Sequence, residues 1–195
     1  MKNTIETHSS TVKFHEITHE EKDSLAEWLS ADICDNFATP KVSYEMALEW
    51  VEQGRFHGDD KKTFWICVNE HNRIGLLQLY DLLDPTTMFD LRLNTHYRRM
   101  GIGSQAVRWL TDYVFETFPG VNRIAANTRQ DNIGMRKALL SYGYVKEAHY
   151  RGGSKAGDNP ADWVDVVAYA ALRYDWYNNC VSPVQWDDEP SLNKR

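Results

Sequence analysis

The stretch Arg98-Arg-Met-Gly101-Ile-Gly103-Ser-Gln-Ala106 sets two glycines one residue apart, with two arginines ahead and helix-forming residues behind. Glycines at this spacing let the backbone approach a ligand closely, and successive N–H groups at a helix start favour an anion. Arg98 and Arg99 add charge-assisted hydrogen bonds. The chemistry is that of a diphosphate cradle. A Gly-rich turn that only starts a helix is the plainer alternative. The same residues also satisfy G-x-G-x-x-G/A, the dinucleotide fingerprint.

That fingerprint belongs at the end of the first strand of a βαβ unit. An acidic residue is expected about 20 residues later, at the tip of the next strand. Here four predicted strands come first, and the next one ends in Asn127-Thr-Arg, with no acid at its tip. The strand before the loop, Phe89-Asp-Leu-Arg-Leu93, alternates, whereas a central parallel strand is apolar throughout. The spacing therefore argues against a dinucleotide fold.

The elements that must position this loop follow from periodicity. Thr11 to Thr18 alternates as a strand, and Thr18-His-Glu-Glu21 is a capping box opening a helix with Leu25, Ala26, Trp28 and Leu29 on one face. Ser43 can cap a second helix with Tyr44, Ala47, Leu48 and Val51 at helical spacing, ended by Gly54. Strands are predicted over Thr63–Val68, Ile74–Leu83 and Met88–Leu93, with turns at Asn69–Asn72 and Asp84-Pro-Thr. After the glycine loop a helix buries Ala106, Val107, Leu110, Val114 and Phe115 and stops at Pro119-Gly120. A strand over Val121–Asn127 follows. Asp131 then opens a helix carrying Met135, Ala138, Leu139 and Tyr142, with Gly143 just past its end. Val145–Arg151 and Val164–Leu172 read as strands, Gly152–Pro160 as a loop between them, and Val181–Arg195 as a loose tail. Strands in hairpins with two late helical crossovers describe an α+β fold on a mixed sheet.

The 195-residue length suits one domain over residues 11–178, with tails at 1–10 and 179–195. The three cysteines, Cys34, Cys67 and Cys180, are odd in number and widely spaced, which fits free thiols better than a disulfide framework or a metal site. No apolar segment near the start has signal-peptide length, and none reaches the length of a bilayer span, so a soluble cytoplasmic protein without membrane partners is expected. The net charge of −6 argues against nucleic-acid partners. Residues 1–60 carry −8 and the remainder +2. This acidic third could attract a cationic substrate, although a solvated helical surface is the plainer reading.

With these elements in place, the sequence resembles the GNAT superfamily of acetyl-CoA-dependent N-acetyltransferases. The family's pyrophosphate loop, [Q/R]-x-x-G-x-[G/A], is matched by Arg98-Arg-Met-Gly101-Ile-Gly103. Its later asparagine and closing glycine-aromatic pair are matched by Asn132 and Gly143-Tyr144. The ending, Asp165 through Tyr169 and Leu172 to Trp176, is most similar to the ribosomal-protein N-terminal acetyltransferase (Rim-type) branch. The resemblance implies a mostly antiparallel sheet whose fourth and fifth strands splay apart, flanked by about four helices.

It also implies direct acetyl transfer to a primary amine, with acetyl-CoA as co-substrate and no metal. The acceptor classes are a protein N-terminus, a polyamine or other metabolite, and an aminoglycoside. Homodimers are compatible with it. By the resemblance, Leu91, Arg92 and Leu93 pair with the pantetheine arm. Arg98, Arg99, Met100, Gly101, Ile102, Gly103 and Ser104 hold the diphosphate, and Asn132 and Arg136 contact the cofactor from the far side of the splay. Asp90 is the candidate general base, with pairing to Arg92 or plain solvent exposure as the alternatives. Two departures stand out: the family's general-acid tyrosine position is Leu139, and the Rim-type serine position is Met135. Tyr142 is a substitute acid or simply core. Trp28, Trp50 and Trp65 can wall the acceptor site or belong to the core, and His149 and Asp162 can touch the acceptor. The missing acid residues motivate one alternative function, a CoA-binding or sensing module without turnover.

Overall fold

The structure, a computed structural model, describes residues 12–31, 41–68, 72–156 and 162–186. Its strands are β1 (Val12–Glu16), β2 (Lys62–Val68), β3 (Arg73–Tyr80), β4 (Thr86–Leu93), β5 (Arg123–Arg129), β6 (Val145–Lys155) and β7 (Trp163–Leu172). Its helices are α1 (Lys22–Ala31), α2 (Tyr44–Glu52), α3 (Ile102–Thr117), α4 (Ile133–Ser141) and α5 (Arg173–Asn178), with 3-10 turns at His19–Glu21 and Thr95–Tyr97. The strands form one sheet in the order β1-β2-β3-β4-β5-β7-β6. Every neighbouring pair is antiparallel except β4 and β5.

Alternation along the strands splits the apolar residues between two layers. Trp65, Cys67 and Leu76 face Leu25, Ala26 and Leu29 of α1 and Ala47 and Val51 of α2. Phe64, Leu77, Leu79, Phe89, Ile124, Ala126 and Val167 belong to the other cluster, with the α3 stripe and Ala138 and Leu139 of α4. The expected α3 residues Ala106, Val107, Leu110, Val114 and Phe115 are all buried. Each large apolar side chain removed from water contributes about 1.5–3 kcal/mol, so α3 is a fixed platform under the sheet. The helix starts are also those expected. The Glu21 carboxylate accepts the Thr18 backbone N–H at 3.0 Å, and the Ser43 hydroxyl accepts that of Met46 at 3.2 Å.

Several boundaries differ from expectation. Asn132, not Asp131, caps α4, because the Asp131 carboxylate is held by the Arg129 guanidinium at 2.5 Å. β3 stops at Tyr80, where Asp81 takes a left-handed φ of +59° and leaves Leu83 exposed. Gly152 to Lys155 belongs to β6 rather than a loop: a bulge between Tyr150 and Ser154 restores pairing with Val164 and Trp163. The rest of that stretch, 157–161, lies outside the described residues, as do Cys34 and most of the 69–72 turn. α5 was not expected, and it is followed by Ser182, whose N–H and hydroxyl both donate to the buried Asp175 carboxylate. No helix among the described residues is long and apolar enough to cross a membrane.

The parallel ladder is short. Thr86, Thr87 and Met88 pair with Arg123, Ile124 and Ala125, and there it ends. β4 nevertheless stays paired with β3 through Leu93, and β5 with β7 through Arg129. The two strands therefore diverge as a V beyond Met88. The outer end of the β4 arm lies over Gly75, which is paired with Leu93. A Cβ on Gly75 would sit 2.6 Å from the Arg92 carbonyl oxygen and 2.7 Å from Leu93 Cδ2. Gly75→Ala should push the Arg92–Leu93 backbone away from β3 and destabilise the fold by about 1–3 kcal/mol. Chemical denaturation should show a lower midpoint with an unchanged slope.

Candidate active site

The loop joining the β4 arm to α3 is tied to the strand it leaves. Arg98 donates from Nε to the Leu93 carbonyl at 3.1 Å. Arg99 and Gly101 both take left-handed conformations, with φ of +65° and +80°. For an arginine this costs on the order of 1 kcal/mol, and such strain persists where the surroundings impose it, often at ligand sites. The first hydrogen bond of α3 runs from the Gln105 N–H to the Gly101 carbonyl at 3.1 Å. The N–H groups of Ile102, Gly103 and Ser104 precede that bond, and no side chain caps the helix. Buried Ile102 anchors the first turn, while Met100 is exposed. The space beside Gly101 is open, and a Cβ on Gly103 would meet only Leu93 Cδ1, at 3.9 Å. This end of the V presents backbone donors and a positive helix end, an arrangement that suits an anion, with Arg99 exposed beside it.

Across the V, the Asn132 side chain accepts the Met135 N–H at 3.2 Å, so its carboxamide nitrogen is the group left to donate. Arg136, one turn on, is engaged within the protein: Nε donates to the Tyr169 hydroxyl and Nη1 to the Gln130 carbonyl. The backbone edges of β4 beyond Met88 and of β5 beyond Ala125 face the opening without pairing to each other. An extended chain inserted there finds donors and acceptors on the Asp90–Leu93 arm, Leu91 included.

Register decides which side chains line each side of the V. Asp90 pairs with Gln78 and Arg92 with Leu76, so both share the face covered elsewhere by α1 and α2. Leu91 and Leu93 turn to the α3 face. Asp90 is half-buried, and burial pushes its carboxyl above the usual carboxylate range, with Arg92 opposing in part. Tyr80, on the same face, is pushed up to about 12 by its burial and by Asp90 and Asp81. Gln78 donates to the Arg55 carbonyl at 2.5 Å, closing the α2 side of this surface. Gln78 and Tyr80 had no sequence signature, since only pairing register brings them beside Asp90.

The remaining candidates are dispersed. Trp65 is 2% exposed, so it lies beneath any acceptor surface. Its indole donates to Glu21 and carries the Arg73 guanidinium 4.6 Å above its ring, with Trp28 edge-on at 6.0 Å. Trp28 in turn donates to the Arg73 carbonyl at 3.1 Å. Trp50 is half-buried on α2 under the Arg55 guanidinium. His149 pairs in register with Val167, on the face opposite Asp90, and its ring lies 2.7 Å from the Asp165 carboxylate. Asp162 is exposed just before β7, its carbonyl accepting the Ala156 N–H. Tyr142 ends α4, ten residues beyond Asn132, or about 15 Å at the helical rise. Its hydroxyl donates to Asp112 at 2.5 Å, and burial followed by that carboxylate pushes it up to about 12. Leu139 is fully buried in the core.

This geometry agrees with three comparisons. A crystal structure described as a probable acetyltransferase superposes with a TM-score of 0.67 at 18% identity, covering 85% of this chain and 94% of the other. Spermidine N-acetyltransferase from Vibrio cholerae, in complex with CoA and spermine, gives a TM-score of 0.73 at 17% identity, covering 87% and 99%. A dodecameric structure of spermidine N-acetyltransferase from the same organism, in an intermediate state, gives 0.69 at 16% identity, covering 87% and 98%. No curated protein sequence matches. The sequence model of the acetyltransferase (GNAT) domain matches residues 12–145, more than half of the chain, and with the splayed sheet and the anion loop it establishes that this protein belongs to the GNAT family of acetyl-CoA-dependent N-acetyltransferases.

Proposed function

We propose that this protein transfers acetyl from acetyl-CoA to a primary amine held on the Asp90 face of the V. The observation that carries the reading is the coincidence, at one opening, of unpaired strand edges, an uncapped helix start and a half-buried carboxyl. The N–H groups of Ile102, Gly103 and Ser104, with Arg98 and Arg99, hold the diphosphate. The Asp90–Leu93 edge takes the pantetheine arm as an added strand, and the Asn132 carboxamide donates to it from the other side. Bound acetyl-CoA supplies an activated acyl group whose thiolate leaves readily.

Asp90 removes the proton that keeps an amine unreactive at neutral pH. An elevated carboxyl is better matched to that task than an exposed one. A backbone N–H of the β4 arm bonds the carbonyl oxygen as it gains charge. Tyr142 donates its hydroxyl hydrogen bond to Asp112, so thiolate leaves to solvent in this reading. The acceptor is an ammonium-bearing molecule. The acidic N-terminal third and the spermidine acetyltransferases among the structural neighbours favour a polyamine-like amine. The Asp165–Trp176 ending favours the Rim-type branch and a protein N-terminus. Self-association as a homodimer is part of the proposal. The buried Leu139 favours the second reading, a CoA-binding module without turnover, and free-thiol release with an amine separates the two.

Gly103→Asp places a carboxylate where the diphosphate would lie. The space around Gly103 accepts a Cβ, so the fold should survive. Calorimetry should show CoA affinity falling at least about 100-fold, as expected when charge-assisted bonds give way to like-charge repulsion. Gly103→Ala should bind within several-fold of wild type. Unchanged affinity in the aspartate variant removes the loop from CoA binding.

Asp90→Asn separates catalysis from stability. A carboxyl whose folded pKa is raised binds protons more readily in the folded state, so its ionisation opposes folding above its unfolded pKa. At pH 7 the variant should lose activity and unfold at a higher temperature than wild type. The stability gain should vanish as pH falls below the ordinary carboxylate range. In wild type, kcat/KM should fall with decreasing pH through the elevated Asp90 pKa. A variant destabilised at pH 7 contradicts this assignment.

A further inference from the structure

On the β5 arm one side chain is at odds with its place in the sheet. β5 is a central strand, and Ile124, Ala125, Ala126 and Thr128 are buried, yet Asn127 among them is exposed. The last rung of the parallel ladder joins Met88 to Ala125. Two residues further along each strand, on the same face, stand Asp90 and Asn127. Beside Asn127 on β7 is Ala168, and Ala125 and Ala170 complete a floor of methyl groups on that face. The carboxamide therefore rises from a shallow apolar floor into the acceptor side of the V. Among the described residues it has no hydrogen-bond partner.

We infer that Asn127 positions the acceptor: its Oδ1 accepts an N–H of the amine whose proton Asp90 removes. This rests on the proposed acetyl transfer and adds to it the residue that faces the base from the other arm. Two hydrogen bonds from one tetrahedral amine nitrogen set their accepting atoms about 4.7 Å apart. Paired strands lie about 4.8 Å apart, and Asp90 and Asn127 stand on facing arms two residues past the last rung, where side chains can converge on one nitrogen. Asparagine does not titrate, so it holds an N–H at every pH without competing for the proton. It also fixes where the nitrogen lone pair points once Asp90 has acted. A carboxylate at this position would face Asp90 with like charge and raise both pKa values.

The test compares wild type, Asn127→Leu and Asn127→Asp, following thiol release with the fastest acceptor among spermidine, an unblocked tetrapeptide and kanamycin. Asn127→Leu should lose about 10- to 100-fold in kcat/KM for the acceptor, the effect of one lost hydrogen bond to a charged partner. Its KM for acetyl-CoA and its unfolding temperature should stay near wild type, and its acidic pH limb should not move. Asn127→Asp keeps the accepting oxygen and should recover most of the activity above neutral pH, with its acidic limb shifted upward. An unimpaired leucine variant overturns the inference, as does a loss expressed in the KM for acetyl-CoA. Equal impairment of both variants also overturns it, because the oxygen is then not the working atom. A wild-type protein that binds CoA by calorimetry yet acetylates none of the three amines overturns acetyl transfer to these classes, and the inference with it. Turnover by wild type with an unimpaired leucine variant overturns the inference alone.

Discussion

The parallel ladder between β4 and β5 is three residue pairs long, and just ahead of it the N–H groups of Asn122 and Arg123 donate to the Pro85 carbonyl, so the two halves of the sheet are joined at one end only. Continued to the ends of both strands, it would leave no unpaired strand edge inside the sheet. Stopped at Met88, it leaves backbone donors and acceptors facing one another across an opening. Such groups must find water or a partner, and leaving one buried without either costs about 1–3 kcal/mol. The V is held open by what lies beneath it. Phe89 on one arm and Ala126 on the other are buried in the same cluster with Leu110 and Val114 of α3. Closing the arms would require repacking that cluster, so the opening is a rigid property of the core.

The loop and the V are one construction. Leu93 ends the β4 arm, its carbonyl takes Arg98 Nε, and Leu93 Cδ1 is the nearest neighbour of the Gly103 position. The strand edge and the helix start are thus fixed to each other within a few residues. An extended ligand with an anionic end needs such a pairing, because its two recognition elements must keep a constant separation. On the other face, Asp90, Tyr80 and Gln78 are set by the β3–β4 register alone. In the proposed reading, donor recognition rests on backbone geometry and acceptor recognition on side chains.

That division explains how much was legible in the sequence. Gly101, Ser43 and Gly143 were readable because their roles are local: a left-handed φ or a cap leaves its mark within a few residues. The same locality misassigned the α4 cap. Asp131 and Asn132 are both good caps, and only the Arg129 pairing decides between them. Gly152 to Lys155 has loop composition, yet β7 draws it into β6 through a bulge. α5 is six residues long, and Arg173 at its start donates to the carbonyls of Phe115, Phe118 and Val121, contacts more than fifty residues away that no local pattern encodes. The tryptophans show the same limit. An aromatic on a predicted strand can wall a pocket or fill a core, and Trp65 is settled among Glu21, Arg73 and Trp28.

The missing tyrosine and serine bear on how the reaction can run. Leu139 is fully buried, so its position serves packing, and the neighbouring phenol of Tyr142 is bound to Asp112 on α3. Neither position brings a titrating group to the opening. What borders the opening is backbone polarity, the half-buried Asp90 carboxyl with Arg92 and Tyr80 on its face, and the carboxamides of Asn127 and Asn132. A thiolate is a good enough leaving group that holding an amine against the thioester matters more than protonating the sulfur, and well-oriented reactants gain about 7–11 kcal/mol from placement alone. Chemistry of that kind demands a rigid frame with fixed separations. The three-rung ladder, anchored from below by α3, supplies one.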